Sequence, residues 1–300
     1  MQDILKSVLF AAAFAFAVSS CKDPNTRQSL FPEQIEKIHQ FVGELNKSLS
    51  HFEFDFVKKA WSHDSFKRRI GKLGNTGHGV FNHIYETSIK SYILNFNLNL
   101  INKVKHSGAV LKHIKTNIVS NYAEATYLLI EESYYYFIKY RIEIDDDTPY
   151  LTDVYVFKDD QWYSNKMREM VLLNLKHTAT SPKRHQANRA FGEFQSALDN
   201  NDYEYAFNAL SQIPESHRIF NYYKIARINT AALLGDSTLI GTIEEENDSV
   251  RGNNIYVDYL IAFYLKDSTY QEDVNIRMRK EMGIPKLLLD SLYSNNLIWE

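Results

Sequence analysis

The sequence predicts a mixed fold: an α+β unit of helices packed on an antiparallel meander, followed by an all-helical unit. Three observations predict it. Apolar residues recur at helical spacing as far as Val104, and then alternate at every second position between residues 110 and 163. Beyond Ser181-Pro182 helical spacing returns and repeats itself, Ala197 recurring as Ala231 at an interval of 34 residues. The expected divisions are 1–20 as a leader, 21–31 as a tether, 32–180 as the α+β unit and 181–300 as the helical unit. At 300 residues the chain has the length of about two domains. Its 44% hydrophobic and 24% charged residues suit ordinary packed cores.

Pro32 suits the first position of a helix, since its missing N–H has no partner there anyway. Ile35, Ile38, Phe41, Val42, Leu45 and Leu49 then mark one buried face over residues 33–49. A second segment, 54–70, carries Phe56, Val57, Trp61 and Phe66, with Ser62 or Asp64 placed to cap a new turn inside it. Residues 71–79 hold four of the chain's 11 glycines. They read as a surface turn. A phosphate cradle would need a preceding strand and a recognisable motif, and the stretch has neither. A third helix carries Phe81, Ile84, Tyr85, Ile89, Ile93, Phe96, Leu100 and Val104.

The strands follow. Val110, Ile114 and Ile118 share a face; Tyr122 to Glu132 is a second strand. In the third, Tyr134, Tyr136, Ile138, Tyr140, Ile142 and Ile144 point one way, and Lys139, Arg141 and Glu143 are expected in water on the other side. Asp145 to Pro149 is a turn by composition, Tyr150 to Phe157 a fourth strand, and Trp162-Tyr163 a short fifth. Short connections require antiparallel neighbours. Helices before a curved meander that closes on Val156-Phe157-Lys158-Asp159-Asp160-Gln161-Trp162-Tyr163 resemble the cystatin-like, nuclear-transport-factor-2-like class over residues 33–175. The resemblance implies a cone-shaped α+β fold; that class includes enzymes and plain binding modules, so it implies no activity.

In the last third, Phe194 matches Ile228, Ala206 matches Ile240, and Asn201-Asp202 matches Gly235-Asp236. Asn201-Asp202-Tyr203-Glu204-Tyr205-Ala206, with Pro214 closing the helix, resembles the turn and second-helix start of tetratricopeptide repeats. Two to three degenerate units are expected, the third over 255–279. A capping segment follows from Ile284 to Trp299 through Leu287, Leu288, Leu292 and Leu297. Such repeats imply a partner surface, for which Tyr222, Lys224 and Arg227 are the candidates.

The chain has one cysteine, Cys21, so no intrachain disulfide can form. An apolar run from Val8 to Val18 precedes it and is too short for a membrane span. Val18-Ser19-Ser20-Cys21 resembles the lipobox of bacterial lipoproteins. In that family cleavage falls before the cysteine, whose sulfur takes a diacylglycerol and whose new amine is acylated, typically with palmitate. The implied location is the bacterial cell envelope, at the outer membrane or cell surface.

A formal net charge of -3 argues against nucleic acid as a partner. The ten histidines form no zinc pattern, and no nucleophile motif is present. Metals, cofactors and catalytic residues are accordingly expected to be none. Lys103, Lys105, His106, Lys112, His113 and Lys115 form a local basic run that suits a protected strand edge, and Glu244-Glu245-Glu246 reads as a solvated helix end. The functional expectation is a lipid-anchored envelope module that binds a protein or peptide. The alternative is a small-ligand or enzymatic pocket in the α+β unit, lined by Trp61, Tyr134 and Tyr136.

Overall fold

The computed structural model describes residues 29–71, 78–106, 108–130, 135–176, 182–218, 221–250, 255–265, 268–286 and 288–289. Pro32 opens helix α1 (Pro32–Ser50), and the Gln34 side chain accepts a hydrogen bond from the Phe31 amide. Ile38, Val42, Leu45 and Leu49 form its buried face, as the spacing predicts. Helices α2 (Phe54–Ala60) and α3 (His63–Ile70) are parted at Trp61, which runs extended beside Leu151. The Ser62 hydroxyl then caps α3 by accepting from the Ser65 amide. The third predicted helix is two, α4 (His78–Ile84) and α5 (Lys90–His106), joined by a π-helical turn at Tyr85–Ile89. Residues 72–77 of the glycine-rich stretch lie outside the described residues.

Five strands pair in sequential antiparallel order: β1 (Val110–Val119), β2 (Tyr122–Ile130), β3 (Tyr135–Asp145), β4 (Thr148–Val156) and β5 (Gln161–Trp162). The β3–β4 hairpin turns on Asp146 and Asp147, both left-handed at φ 43° and 66°, as a tight right-twisted hairpin requires. One face of the sheet meets the first helices. Ile138, Tyr140 and Ile142 lie there, opposite Tyr127, Ala125 and Ala123 on β2. The Tyr127 hydroxyl donates to Asn46 of α1 at 2.5 Å, and the Tyr140 hydroxyl to Asn97 of α5 at 2.8 Å. Each buried phenol thus has the partner that burial demands, and each bond fixes a helix to the sheet.

The opposite face differs from expectation. Lys139 and Arg141, expected in water, are each only 7% exposed, and Glu143 is half-buried. The chain's last helices cover part of this face. Phe137 packs edge-on against Phe157, which packs against Tyr256 and Tyr259 of α12 (Ile255–Leu265). Lys139 donates to the Glu281 carbonyl at 3.2 Å. Alternation sets the phase of a strand, but it does not say what covers each face.

After β5 the chain forms α6 (Tyr163–Lys176), packed on β4 and α3. Two hairpins follow: α7 (Pro182–Asp199) with α8 (Tyr203–Ser211), and α10 (Asn221–Leu234) with α11 (Asp236–Val250). The short α9 (Glu215–Arg218) lies between them, and α8 packs on both α7 and α10. Ala197 and Ala231 are both buried, each near the end of the first helix of its hairpin. The first turn uses left-handed Asn201 and the Asp202 cap; the second uses Gly235 alone, at φ 108°. It is two residues shorter, one of them made up by the longer end of α10. The match of 34 residues therefore holds for the first helices and falls to 33 in the second. Ala206 corresponds to buried Leu239 rather than to half-buried Ile240.

The third helical stretch does not repeat the pattern. Helix α12 is buried at five consecutive residues, Ile255 to Tyr259, because it wedges between the sheet end and its neighbours. Helix α13 (Ser268–Arg277) continues into a π-helical turn at Met278–Met282. Gly283, left-handed at φ 67°, then closes against the tip of the Lys115 side chain; the backbone angle rather than that movable tip is what favours glycine here. Of the expected capping segment, Leu288 and Leu289 pack on the core, whereas Leu287, Leu292 and Leu297 lie outside the described residues. The main apolar core joins Ile38 of α1 to Leu289, and a second, smaller one of Ala190, Leu210, Ile213 and Tyr223 holds α7, α8 and α10 together.

Two mutational outcomes follow from this packing. Ala231→Leu and Ala197→Leu should each overpack a hairpin and cost about 1–3 kcal/mol, read as a lowered denaturant midpoint at unchanged slope. Lys139→Met should cost about 1–3 kcal/mol by stranding the Glu124 carboxylate. A surface substitution such as Lys58→Met should change stability by less than about 0.5 kcal/mol.

Candidate functional site

The turn between β4 and β5 builds a polar recess beside the sheet. Residues Phe157–Asp159 make one 3-10 turn, and Asp160, left-handed at φ 46°, reverses the chain into β5. Helix α6 starts immediately, at Tyr163. A cleft of about 420 Å³ opens between these elements. Tyr155, Asp160, Gln161 and Trp162 line it from the sheet end. Asn165, Arg168, Glu169 and Leu172 line it from α6, at the spacing that places them on one helical face.

Asp160 is the hinge pin of this corner. One carboxylate oxygen accepts from the Tyr155 hydroxyl, the other from the Ile255 amide at 2.9 Å, the first N–H of α12. A carboxylate at a helix start suits both the unpaired amides and the helix dipole. Burial pushes the Asp160 carboxyl up to about 6, with Glu281 adding to the push; the bonds from Tyr155 and Ile255 and the charge of Arg277 oppose it. Burial, then Asp160 itself, raises the Tyr155 phenol. Burial also raises Glu169, against the pull of Lys166.

Two polar atoms of the cleft are buried without a partner among the described residues: Nε2 of Gln161 and Oε2 of Glu169. Gln161 is only 7% exposed. An orphaned buried donor or acceptor costs about 1–3 kcal/mol, so a donor and an acceptor left open in one recess call for a reason.

A ladder of charge runs from the cleft across the half-covered sheet face. Arg69 of α3 donates to Asp153 at 2.8 Å and reaches Glu143 at 3.8 Å; Arg141 donates to Glu143 at 2.7 Å; Lys139 meets Glu124 at 3.4 Å. The cations also lie over rings: Arg69 over Trp162, Arg141 over Tyr122, Lys139 over Tyr155.

The residues singled out in the sequence are scattered. Trp61 is a core residue, edge-on to Phe66. Tyr134 lies outside the described residues, as does the side chain of Tyr136. Cys21 and the side chain of Tyr222 also lie outside them. Lys224 is half-buried on α10. Arg227 is not free for a partner: its guanidinium forks onto Glu245 and Glu246 of α11 and lies over Phe207 of α8. The glutamates read as a solvated helix end are thus, in part, its counterions. His113 of the basic run is half-buried against Tyr127 and bonded to Thr116, and Lys115 packs on Gly283.

The cleft residues were not singled out in the sequence. Lys158-Asp159-Asp160-Gln161 carries only turn chemistry, and the apolar period of α6, Tyr163, Met167 and Val171, marks its buried face rather than the cleft wall. The available signal was the i, i+3, i+4 and i+7 set Asn165, Arg168, Glu169 and Leu172, directly after a Trp-Tyr pair.

Among the described residues, no group of three or more His, Cys, Asp or Glu side chains is placed to hold a metal ion. No helix among them is long and apolar enough to cross a membrane. No protein-family model, curated protein or solved structure matches the chain.

The Asp160 clamp makes a pH prediction. A carboxyl raised from 3.8 to about 6 on folding contributes stability that is present below pH 4 and lost as pH rises through about 6. A difference of that size is about 3 kcal/mol, at about 1.4 kcal/mol per pH unit. Asp160→Asn should remove this contribution, so the stability gap between wild type and variant should change between pH 4 and 7. Urea midpoints across that range check it; parallel curves would show that Asp160 keeps its ordinary ionisation.

Proposed function

We propose that the chain is an exported, lipid-anchored protein of the bacterial envelope that acts as a binding scaffold for a protein or peptide. The observation that carries the scaffold reading is the succession of two helix hairpins, α7–α8 and α10–α11, with Ala197 and Ala231 buried at matching positions. We read this arrangement as tetratricopeptide-like. Stacked pairs of this kind present a continuous surface to a partner. A groove of about 550 Å³ lies along α7 and α8, with Arg189 and Glu193 on one side and Tyr205 on the other. Tyr205 is 49% exposed, and an exposed tyrosine beside an arginine is the composition of an interface anchor.

The anchor reading rests on Val18-Ser19-Ser20-Cys21 and on the apolar run before it. Only the Cys21 sulfur can form the thioether, because the chain has no other cysteine. Several buried acyl chains hold a protein at a membrane far better than one, at about 0.8 kcal/mol per CH₂. The α+β unit, read as cystatin-like, would then stand between the lipid and the hairpins.

A second reading has an observation of its own. The unpartnered Gln161 and Glu169 atoms favour a small-ligand pocket in the α+β unit, at the β5–α6 cleft.

Both parts of the first reading have direct tests. A clickable fatty acid should label wild type and not Cys21→Ser; equal labelling of both would remove the lipoprotein reading. A photo-crosslinker at Tyr205 should capture one envelope protein in living cells, and Arg189→Glu should abolish the capture. The same crosslinker at exposed Val80 should not capture it. The same products from positions 205 and 80 would remove the scaffold reading.

A further inference from the structure

We infer that the β5–α6 cleft binds a neutral polyhydroxylated ligand, one or two sugar rings in extent. The inference rests on the second reading, that this cleft is a ligand pocket, and names what enters it.

Hydrogen-bond chemistry selects the class. Gln161 offers an unpartnered N–H, and Glu169 an unpartnered oxygen. A simple ammonium cation donates but cannot accept, so it leaves Gln161 unpaired. A carboxylate or fully ionised phosphate accepts but has no proton to donate, so it could meet Arg168 and Gln161 yet would leave the Glu169 oxygen unpaired. A hydroxyl does both, with one donor and two acceptor lone pairs, so a molecule carrying several of them can meet both needs. At acid pH, burial holds Asp160 and Glu169 toward their neutral forms, which again suits an uncharged guest.

The walls agree with this choice. Tyr155, Trp162 and Leu172 give apolar surface for the C–H face of a ring, while Asn165 and Arg168 bring further polar groups to the cleft. About 420 Å³ lies within the usual range of small-ligand pockets, about 300–1,000 Å³. A peptide amide also donates and accepts. Peptides, however, commonly dock by adding a strand to a sheet edge. The edge beside the cleft, β5, is two residues long, too short to template one.

The site is also wired to the rest of the molecule. Tyr155 and Asp160 line the cleft and together hold the first amide of α12. A guest that orders these side chains therefore strengthens the clamp on the last helices, and binding should raise the unfolding temperature.

The test uses the purified chain and saturation-transfer NMR. The probes are glucose, N-acetylglucosamine, maltose and cellobiose, with spermidine, phosphate and trialanine as charged and peptide comparators. At least one neutral sugar should bind. Gln161→Leu should weaken it roughly tenfold, the loss of one hydrogen bond. Gln161→Leu can also disturb β5, so a second variant is needed. Asn165→Trp, at an exposed position on the cleft wall, should block the sugar while leaving circular dichroism unchanged. If spermidine, phosphate or trialanine binds in a way that Asn165→Trp blocks and no sugar does, the ligand class is overturned and the pocket stands. If no probe binds, or Asn165→Trp leaves sugar binding unchanged, the pocket itself is overturned.

Discussion

Water does not reach the carboxylate of Asp153, and the chain supplies what water would have given it. Arg69 comes from α3; the hydroxyl and amide of Ser164 come from the start of α6, at 2.5 and 3.1 Å. Burial still pushes this carboxyl up, against the pull of Arg69 and of the Ser164 bonds. A buried charge with one partner missing costs several kcal/mol, so β4, α3 and α6 have to meet at this one point together. The rest of the polar face is arranged outward from it. Arg69 passes charge to Glu143, Glu143 to Arg141, and each cation has a ring beneath it. Neutralised in this way, half of the sheet can lie under protein without an apolar surface.

The same arrangement explains what a sequence reader could and could not see. The period of β3 is plain, and so is the burial of Ile138, Tyr140 and Ile142. Lys139 and Arg141 look solvated because their counterions are invisible locally. Glu124 is on another strand, and the Glu281 carbonyl is 142 residues away. Arg227 misleads in the opposite sense: a cation on a helix face suggests a partner, but Glu245 and Glu246 already hold it. The cleft escapes notice because its floor is a two-residue strand with turn-like neighbours, and the apolar rhythm of its wall helix, Tyr163, Met167 and Val171, marks the buried face and not the cleft.

The repeated hairpins show where internal comparison is sound. The first helices match in that Ala197 and Ala231 are both buried, though Ala231 belongs to the main core and Ala197 borders the groove along α7 and α8. The second helices slip by one residue because two solutions to the same reversal differ in length: a left-handed asparagine with an aspartate cap, and a lone left-handed glycine. A fixed period cannot reveal that slip. Burial does, by placing Ala206 beside Leu239 in role.

The closing of the sheet by α12 has a consequence for how the chain comes into being. Its contacts span long stretches of sequence: Asp160 waits for Ile255, 95 residues further on. At synthesis rates of about 5–20 residues per second, the completed meander stands for roughly five to twenty seconds with Phe137 and Phe157 uncovered. Its hydrogen-bond ladder can be finished in that interval; its second face cannot. Helper proteins that mask apolar surface have their natural window there. A product that stops between α6 and α12 would keep its strands and expose a flank with nothing to bury it.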